Sequence, residues 1–344
     1  ETARKFMDKN LAQVARPLEF QFFSLTSNEY TLLNKVEMFA KRATTYSVLL
    51  AFMVGKTKQE VFELKEIIDK NKQDERFKNI CFVLFDNPMG EKEYERFIEF
   101  QANATCAQKH GLANQQKTYN ESSNEMIFAW LSEMRRGNVT FCLRDDEMTI
   151  SGTRMTTTIN GSIAPAIFTS GPESLEIIRT RSSNTFWKKA SVKATVDAVL
   201  SFHTKEEIIA KCGGPAQHVE YLLQDSVDEN LEWKSDISQE HPLKKVCDYI
   251  QNVFNHTNKN QSFNLGEKLI GLTLPPFGLF QSYAPIATAA FARRKYAGKI
   301  FDLNGKPRTA NHLVDDIVEM FKAWENGKTS AKLNFMFESK EAGA

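Results

Sequence analysis

The sequence predicts an α/β N-terminal domain with a mainly parallel sheet, followed by a mainly α-helical domain. Three observations carry that prediction. Two unbroken apolar runs, "YSVLLAFMV" (46–54) and "NICFVLFDNP" (79–88), have the character of strands buried on both faces. Amphipathic segments of helical period stand around them, giving the alternation of a layered α/β fold. After residue 145 the composition turns to Thr, Ser, Gly and Pro, and beyond residue 173 the pattern is mainly helical.

The elements follow in order. "TSNEYTLLNKVEMFAKRA" sets Thr26 three residues before Glu29, the spacing of a capping box, and then continues as a helix. The first apolar run is a strand. "TKQEVFELKEIIDKNK" places Val61, Phe62, Leu64, Ile67 and Ile68 on one side of a helix. The second run is another strand, stopped at Pro88. "KEYERFIEFQANATCAQKHG" is a helix ended by Gly111, "NEMIFAWLSEMRRG" a further helix and "VTFCLRD" a strand. This order predicts crossover connections and parallel pairing.

The domain boundary is placed at 150/151, so that 1–150 form the α/β domain and 151–344 the helical one. In the second part, "DDEMTISGTRMTTTINGSIAPAIFTSGPE" suggests a hairpin and a loop. "WKKASVKATVDAVLSF" and "TKEEIIAK" then read as helices, the latter capped by Thr204 and Glu207 and halted at Gly213 and Gly214. Pro215 suits the first turn of "AQHVEYLLQD", and "HPLKKVCDYIQNVFNH" is strongly amphipathic. From about Leu279 to Tyr296 a nearly all-apolar helix is expected, with Pro285 in its first turn or bending it. "KIFDLNGKPR" carries Asn304-Gly305 between short strand-like pieces, a hairpin signal. A capped helix, "TANHLVDDIVEMFKAWENG", and a last strand, "KLNFMF", complete the chain. Helices followed by a hairpin give the region around 242–337 a winged-helix-like order, with the hairpin as the wing.

The chain has 344 residues, 42% hydrophobic and 25% charged, with a formal net charge of +1. That balance excludes a whole-protein field for polyanions, so any nucleic-acid surface must be a local patch. No apolar run reaches the length of a membrane span and no signal peptide opens the chain, so the reading is cytoplasmic with no membrane partner. Cys81, Cys106, Cys142, Cys212 and Cys247 are odd in number and widely spaced, as in a reducing compartment. The first residue is Glu, and the expectation is a piece of a longer chain.

Chemistry-bearing patterns are few. Gly55-Lys56-Thr57 follows a strand and opens a helix like the end of a phosphate-binding loop, but Leu50 stands where the first glycine is required. Asp86 ends the second apolar strand, where open α/β sheets bind ligands, with Glu91 and Glu93 close behind and Asp145 and Asp146 after the third strand. Their plain reading is turn chemistry; their sharper one is a magnesium-holding carboxylate set for a nuclease or phosphohydrolase. His110, His203, His218, His241, His256 and His312 lack the companions of a zinc site. No metal, cofactor or catalytic residue is assigned.

The densest functional signal is cationic. Arg293, Arg294 and Lys295 end the apolar helix, and Lys299, Lys306 and Arg308 follow around the hairpin. The helix dipole accounts for one or two such charges at a C-terminus. All six are expected to share an outward face that contacts DNA phosphates, without sequence choice. Arg135-Arg136 and Lys188-Lys189 are smaller clusters of the same kind.

"LTLPPFGLFQSYAPIATAAFARR" and "IFTSGPESLEII" resemble segments of large, multidomain bacterial P-loop ATPases of phage-defence systems, in which an L-x-x-P-P-[FY]-G-type turn precedes an apolar helix downstream of the ATPase core. The likeness covers about the last 170 to 180 residues. It implies a non-catalytic region of a larger defence or DNA-processing ATPase, which binds nucleic acid or assembles with partner subunits or the remaining domains. No catalytic residue is carried over. A metal-dependent nuclease and a purely structural oligomerisation module, burying a sheet edge and helices against partners, are the alternatives.

Overall fold

The computed structural model describes residues 1–25, 28–174, 192–212, 223 and 226–337. The chain divides into two compact units, one of residues 1–43 and 47–163, the other of residues 44–46 and 164–344. The expected boundary after residue 150 falls inside the first unit. Short helical turns after it stay with that unit, where Asn160 accepts from the Ala15 N–H at 2.9 Å and Thr156 donates to the Asn10 carbonyl.

The first unit contains α1 (Thr2–Asn10), β1 (Leu18–Phe23), α2 (Glu29–Arg42), β2 (Val48–Met53), α3 (Lys58–Asn71), β3 (Ile80–Phe85), α4 (Glu91–Lys109), α5 (Ala113–Arg136), β4 (Asn138–Leu143) and β5 (Asp146–Ser151). The five strands lie side by side in sequence order. Every residue of β2 and β3 is buried, as the apolar runs predict. On one face, Leu32 and Val36 of α2 and Leu64 and Ile68 of α3 pack against Ala51, Met53, Phe82 and Leu84. α2 is capped by Asn28, whose side chain accepts from the Thr31 N–H. The expected cap Thr26 lies outside the described residues.

The sheet is mixed. β1, β2 and β3 are parallel, whereas β4 runs antiparallel to β3 and β5 antiparallel to β4. The connection between β3 and β4 explains the change. One crossover helix returns the chain to the starting end of a sheet, so the next strand is parallel. Here α4 and α5 pack on each other as a helical hairpin, so the chain comes back to the end it left and β4 must descend. The β4–β5 turn is two residues long, Arg144 and Asp145, with Arg144 at φ 54°.

The second unit contains α6 (Val192–Ser201), α7 (Lys205–Cys212), α8 (Pro242–Asn255), β6 (Phe263–Asn264), α9 (Tyr283–Arg293), β7 (Phe301–Asp302), α10 (Ala310–Glu325) and β8 (Asn334–Met336). Thr204 and Glu207 form the expected cap, the Glu207 carboxylate accepting from the Thr204 N–H at 3.1 Å. The expected stop at Gly213 and Gly214, Pro215 and most of the helix after it lie outside the described residues, as do Lys188 and Lys189. The core gathers Val246, Ile250 and Phe254 of α8, Ile286 and Ala290 of α9, and Leu313, Ile317 and Phe321 of α10.

The Pro-Pro-Phe-Gly segment is a tight turn. The Phe277 and Gly278 amides both bond the Leu274 carbonyl, and Gly278 sits at φ 58°, where a side chain is unfavourable. Phe277 packs on Tyr249 with ring centroids 5.1 Å apart. α9 is shorter than the apolar pattern suggests. It starts at Tyr283, which puts Pro285 in the first turn, and gives way after Arg293 to a 3₁₀ turn at Arg294–Tyr296. Asn304-Gly305 does form a turn, with the Asp302 carboxylate accepting from the Asn304 and Lys306 amides. The return arm is only a bridge from Pro307 to Phe301, and the chain then enters α10. β8 comes in afterwards as the middle strand of an antiparallel sheet ordered β6–β8–β7. Among the described residues, no helix is long and apolar enough to cross a membrane.

Phe82 is 1% exposed, centred in the sheet and in ring contact with Phe77. Phe82→Ala is expected to lower the unfolding free energy by about 3–5 kcal/mol, read from the urea midpoint.

Candidate functional site

The Gly55-Lys56-Thr57 triplet follows β2 and leads into α3. Thr57 is the N-cap, and its hydroxyl accepts from the Glu60 N–H at 3.2 Å. Glu60 turns back, so that its carboxylate accepts from the Lys56 N–H at 2.7 Å and pairs with Lys56 Nζ at 3.1 Å. The chain's own carboxylate therefore sits where a phosphate would approach. A Cβ on Gly55 would meet Val61 Cγ2 at 2.7 Å and the Val61 nitrogen at 2.8 Å, so this glycine permits close packing of the start of α3. The triplet is a helix cap.

The carboxylates do not converge. Asp86 ends β3, while Asp145 and Asp146 sit at the β4–β5 turn. Because Val139 pairs with Phe85 and Cys142 with Phe82, that turn lies beyond the start of β3, at the opposite end of the sheet. A strand of this length separates the groups by about 17–20 Å. Asp145 accepts from Gln73. Partial desolvation pushes the Asp86 carboxyl up, against the pull of Lys65. Glu91 and Glu93 occupy the first turn of α4, where the helix dipole favours acids. Among the described residues, no group of three His, Cys, Asp or Glu side chains is placed to hold a metal ion.

The sulfurs and imidazoles have structural settings. Cys81, Cys142 and Cys247 are buried. Burial pushes the Cys142 thiol up to about 11 and that of Cys247 to about 12, so neither is a thiolate near neutral pH. Cys106 is exposed on α4, and the side chain of Cys212 lies outside the described residues. His241 caps α8 by accepting from the Leu243 N–H, and His312 faces Thr309 in the cap of α10. His218 lies outside the described residues.

The six cations separate into interior and surface groups, a correction to the single outward face. Arg293 has no exposed surface. Its guanidinium lies 5.2 Å over the Phe254 ring and 5.9 Å from that of Tyr296, and its three nitrogens have no hydrogen-bond acceptor among the described residues. Burial lowers its pKa to about 10, with Asp316 opposing the shift. Arg308 is half-buried and turns toward Asp316. It holds Asp316 through two bonds, Nε to Oδ2 at 3.0 Å and Nη2 to Oδ1 at 2.6 Å, and lies 5.3 Å over Phe335. Asp316 is 5% exposed, and burial raises its carboxyl more than the two guanidiniums lower it.

The other four differ in exposure. Arg294 is half-buried and donates to the Val199 carbonyl at 2.7 Å. Lys295 is exposed and donates to Gln251 at 2.6 Å. Lys299 and Lys306 are exposed and make no ion pair among the described residues. Arg136 of the smaller cluster pairs with Glu133 at 2.9 Å.

Two features escape the sequence reading. Asp316 was legible as an acid at helical spacing from Leu313 and Met320, on the buried face of α10. The other is β1, whose "LEFQFF" alternation was the available signal. An open groove of about 570 Å³ lies beside it, lined by Arg4 of α1, by Glu19, Phe20 and Gln21, by residues of α2 from Thr31 to Arg42, and by Ala43. No protein-family model matches the chain, and no curated protein or solved structure shows significant similarity to it.

Thr57→Ala is expected to cost about 1 kcal/mol of stability by denaturant titration. Millimolar Mg-ATP is expected to leave the Tm of the unaltered chain unmoved; a rise would contradict the cap assignment. The interior charges should respond unequally to substitution. Arg308→Met leaves Asp316 without its bidentate partner and is expected to destabilise by about 3–5 kcal/mol, whereas Arg293→Met should leave stability unchanged or raise it. Urea unfolding of both variants checks the contrast.

Proposed function

We propose that this chain is a non-catalytic assembly region of a larger bacterial defence or DNA-processing ATPase, and that it works by binding partner subunits or the remaining domains. The observation that carries this reading is the exposed end of the α/β sheet. Among the described residues β1 has a strand neighbour on one side only, and the groove beside it combines charge with apolar surface. The antiparallel β4 weighs against the nuclease or phosphohydrolase alternative, because it holds Asp86 apart from Asp145 and Asp146. Incubation of DNA with magnesium or manganese should give no cleavage; cleavage abolished by Asp86→Ala would overturn the assignment.

A second reading, contact with DNA from a winged-helix-like second unit, has one specific support. The order β6–β8–β7, with a helical segment between the first two strands in sequence, is the strand order of a winged helix. α10 stands where the wing would leave the sheet. Arg293 is buried and Arg308 is held by Asp316, so the phosphate contacts fall to Lys295, Lys299 and Lys306, with Arg294 half-buried. If this surface binds duplex DNA, replacing the three lysines by alanine should weaken binding uniformly across sequences. The slope of log Kd against log salt should fall by about 0.9 for each phosphate that is no longer neutralised. Fluorescence anisotropy across a salt series measures it, and an unchanged slope removes the DNA reading.

A further inference from the structure

We propose that the free edge of β1 receives an acidic, extended segment of a partner protein as an added β-strand, with Arg4 and Arg42 as its charge-recognising residues. The inference rests on the assembly reading and gives that reading a partner chemistry.

Backbone parity establishes the edge. The Pro17 carbonyl accepts from the Val48 N–H and the Phe23 carbonyl from the Val54 N–H, so the odd-numbered residues of β1 direct their peptide groups toward β2. In a parallel ladder the N–H and C=O of one residue point to the same side. Leu18, Phe20 and Phe22 therefore present theirs away from the sheet, and β1 is the terminal strand. Alternating donors and acceptors along six residues match an extended peptide.

The two edges of the sheet differ. β5 begins with Asp146 and Glu147, and Glu147 pairs with Lys65 and Lys72, which blunts that edge with charge. β1 has no lysine, bulge or internal proline; its sequence is Leu-Glu-Phe-Gln-Phe-Phe. Such an edge is a template for another strand unless something covers it.

Charge selects the occupant. Arg4 and Arg42 line the groove, and Met38 supplies an apolar surface that is 48% exposed. Arg4 and Arg42 are exposed and make no ion pair among the described residues. A second copy of the chain would bring the same cations against themselves, so self-pairing is disfavoured. A nucleic acid could meet the arginines but has no ladder to match the peptide groups of Leu18, Phe20 and Phe22. An acidic strand meets both demands.

The test uses a fluorescein-labelled six-residue peptide alternating Val and Glu, matched in length to β1. Anisotropy should show saturable binding, weakened at least about tenfold by Arg4→Glu with Arg42→Glu. The same peptide with Lys for Glu, or N-methylated at every amide, should not bind. Hydrogen exchange of the Phe20 and Phe22 amides should slow on binding, a readout that charge attraction alone would not move. Equal binding of the N-methylated or Lys peptide, or no binding at millimolar concentration, overturns the proposal. Binding of a single-stranded oligonucleotide that the same arginine changes abolish overturns it in favour of nucleic acid, and a concentration-dependent dimer that disappears in those variants overturns it in favour of a second copy. Since no DNA cleavage or ATP enters this experiment, its failure is distinct from failure of the assembly reading.

Discussion

The second unit depends on how it accommodates two buried charges, Arg293 and Asp316, and the half-buried Arg308 that holds the second. Arg308 precedes α10, Asp316 lies within it, and Arg293 ends α9 against Phe254 of α8. Arg308 also covers Phe335 of β8. One cluster thereby touches three helices and the central strand, so their mutual placement is coupled to satisfying one carboxylate. Buried ions lose hydration, and their attraction offsets that loss only when geometry is good. The two-bond contact between Arg308 and Asp316 meets that condition. Arg293 relies instead on aromatic faces and on the field of the same carboxylate, an arrangement suited to a weakly hydrated guanidinium and poorly suited to a lysine.

In the first unit the deciding element is the α4–α5 hairpin. By returning the chain to the end of the sheet it had left, the pair reverses β4 and carries the next acidic turn to the far side. Chemistry is separated by topology there, not by the absence of suitable residues. At the other side of the sheet β1 is the terminal strand of the parallel part, with a different character from β5.

Much of this was readable from residues alone. The fully buried β2 and β3 follow from unbroken apolar runs, and the Thr204–Glu207 cap and the Asn304-Gly305 turn follow from local chemistry. Strand direction was not, although the two-helix connection, broken at Gly111, was in view. The fate of the basic cluster was even less accessible. Arginine at a helix end reads as exposed, and only tertiary packing reveals that the side chain of Arg293 turns back over Phe254. A cation's sign is written in the sequence; its direction is a long-range property.

The three-stranded sheet has its last strand in the middle. Within this sheet Phe263 pairs with Phe335 and Phe301 with Met336, on the far side of α10. Closure of this sheet therefore spans a long stretch of chain, and its entropy must be met before any of its hydrogen bonds form. During synthesis β6 and β7 emerge first, β7 holding only its local bridge to Pro307, and neither meets its sheet partner until the segment 334–336 leaves the ribosome. A product ending before residue 334 would retain every described helix of this unit, yet β6 and β7 would have no common neighbour to join them.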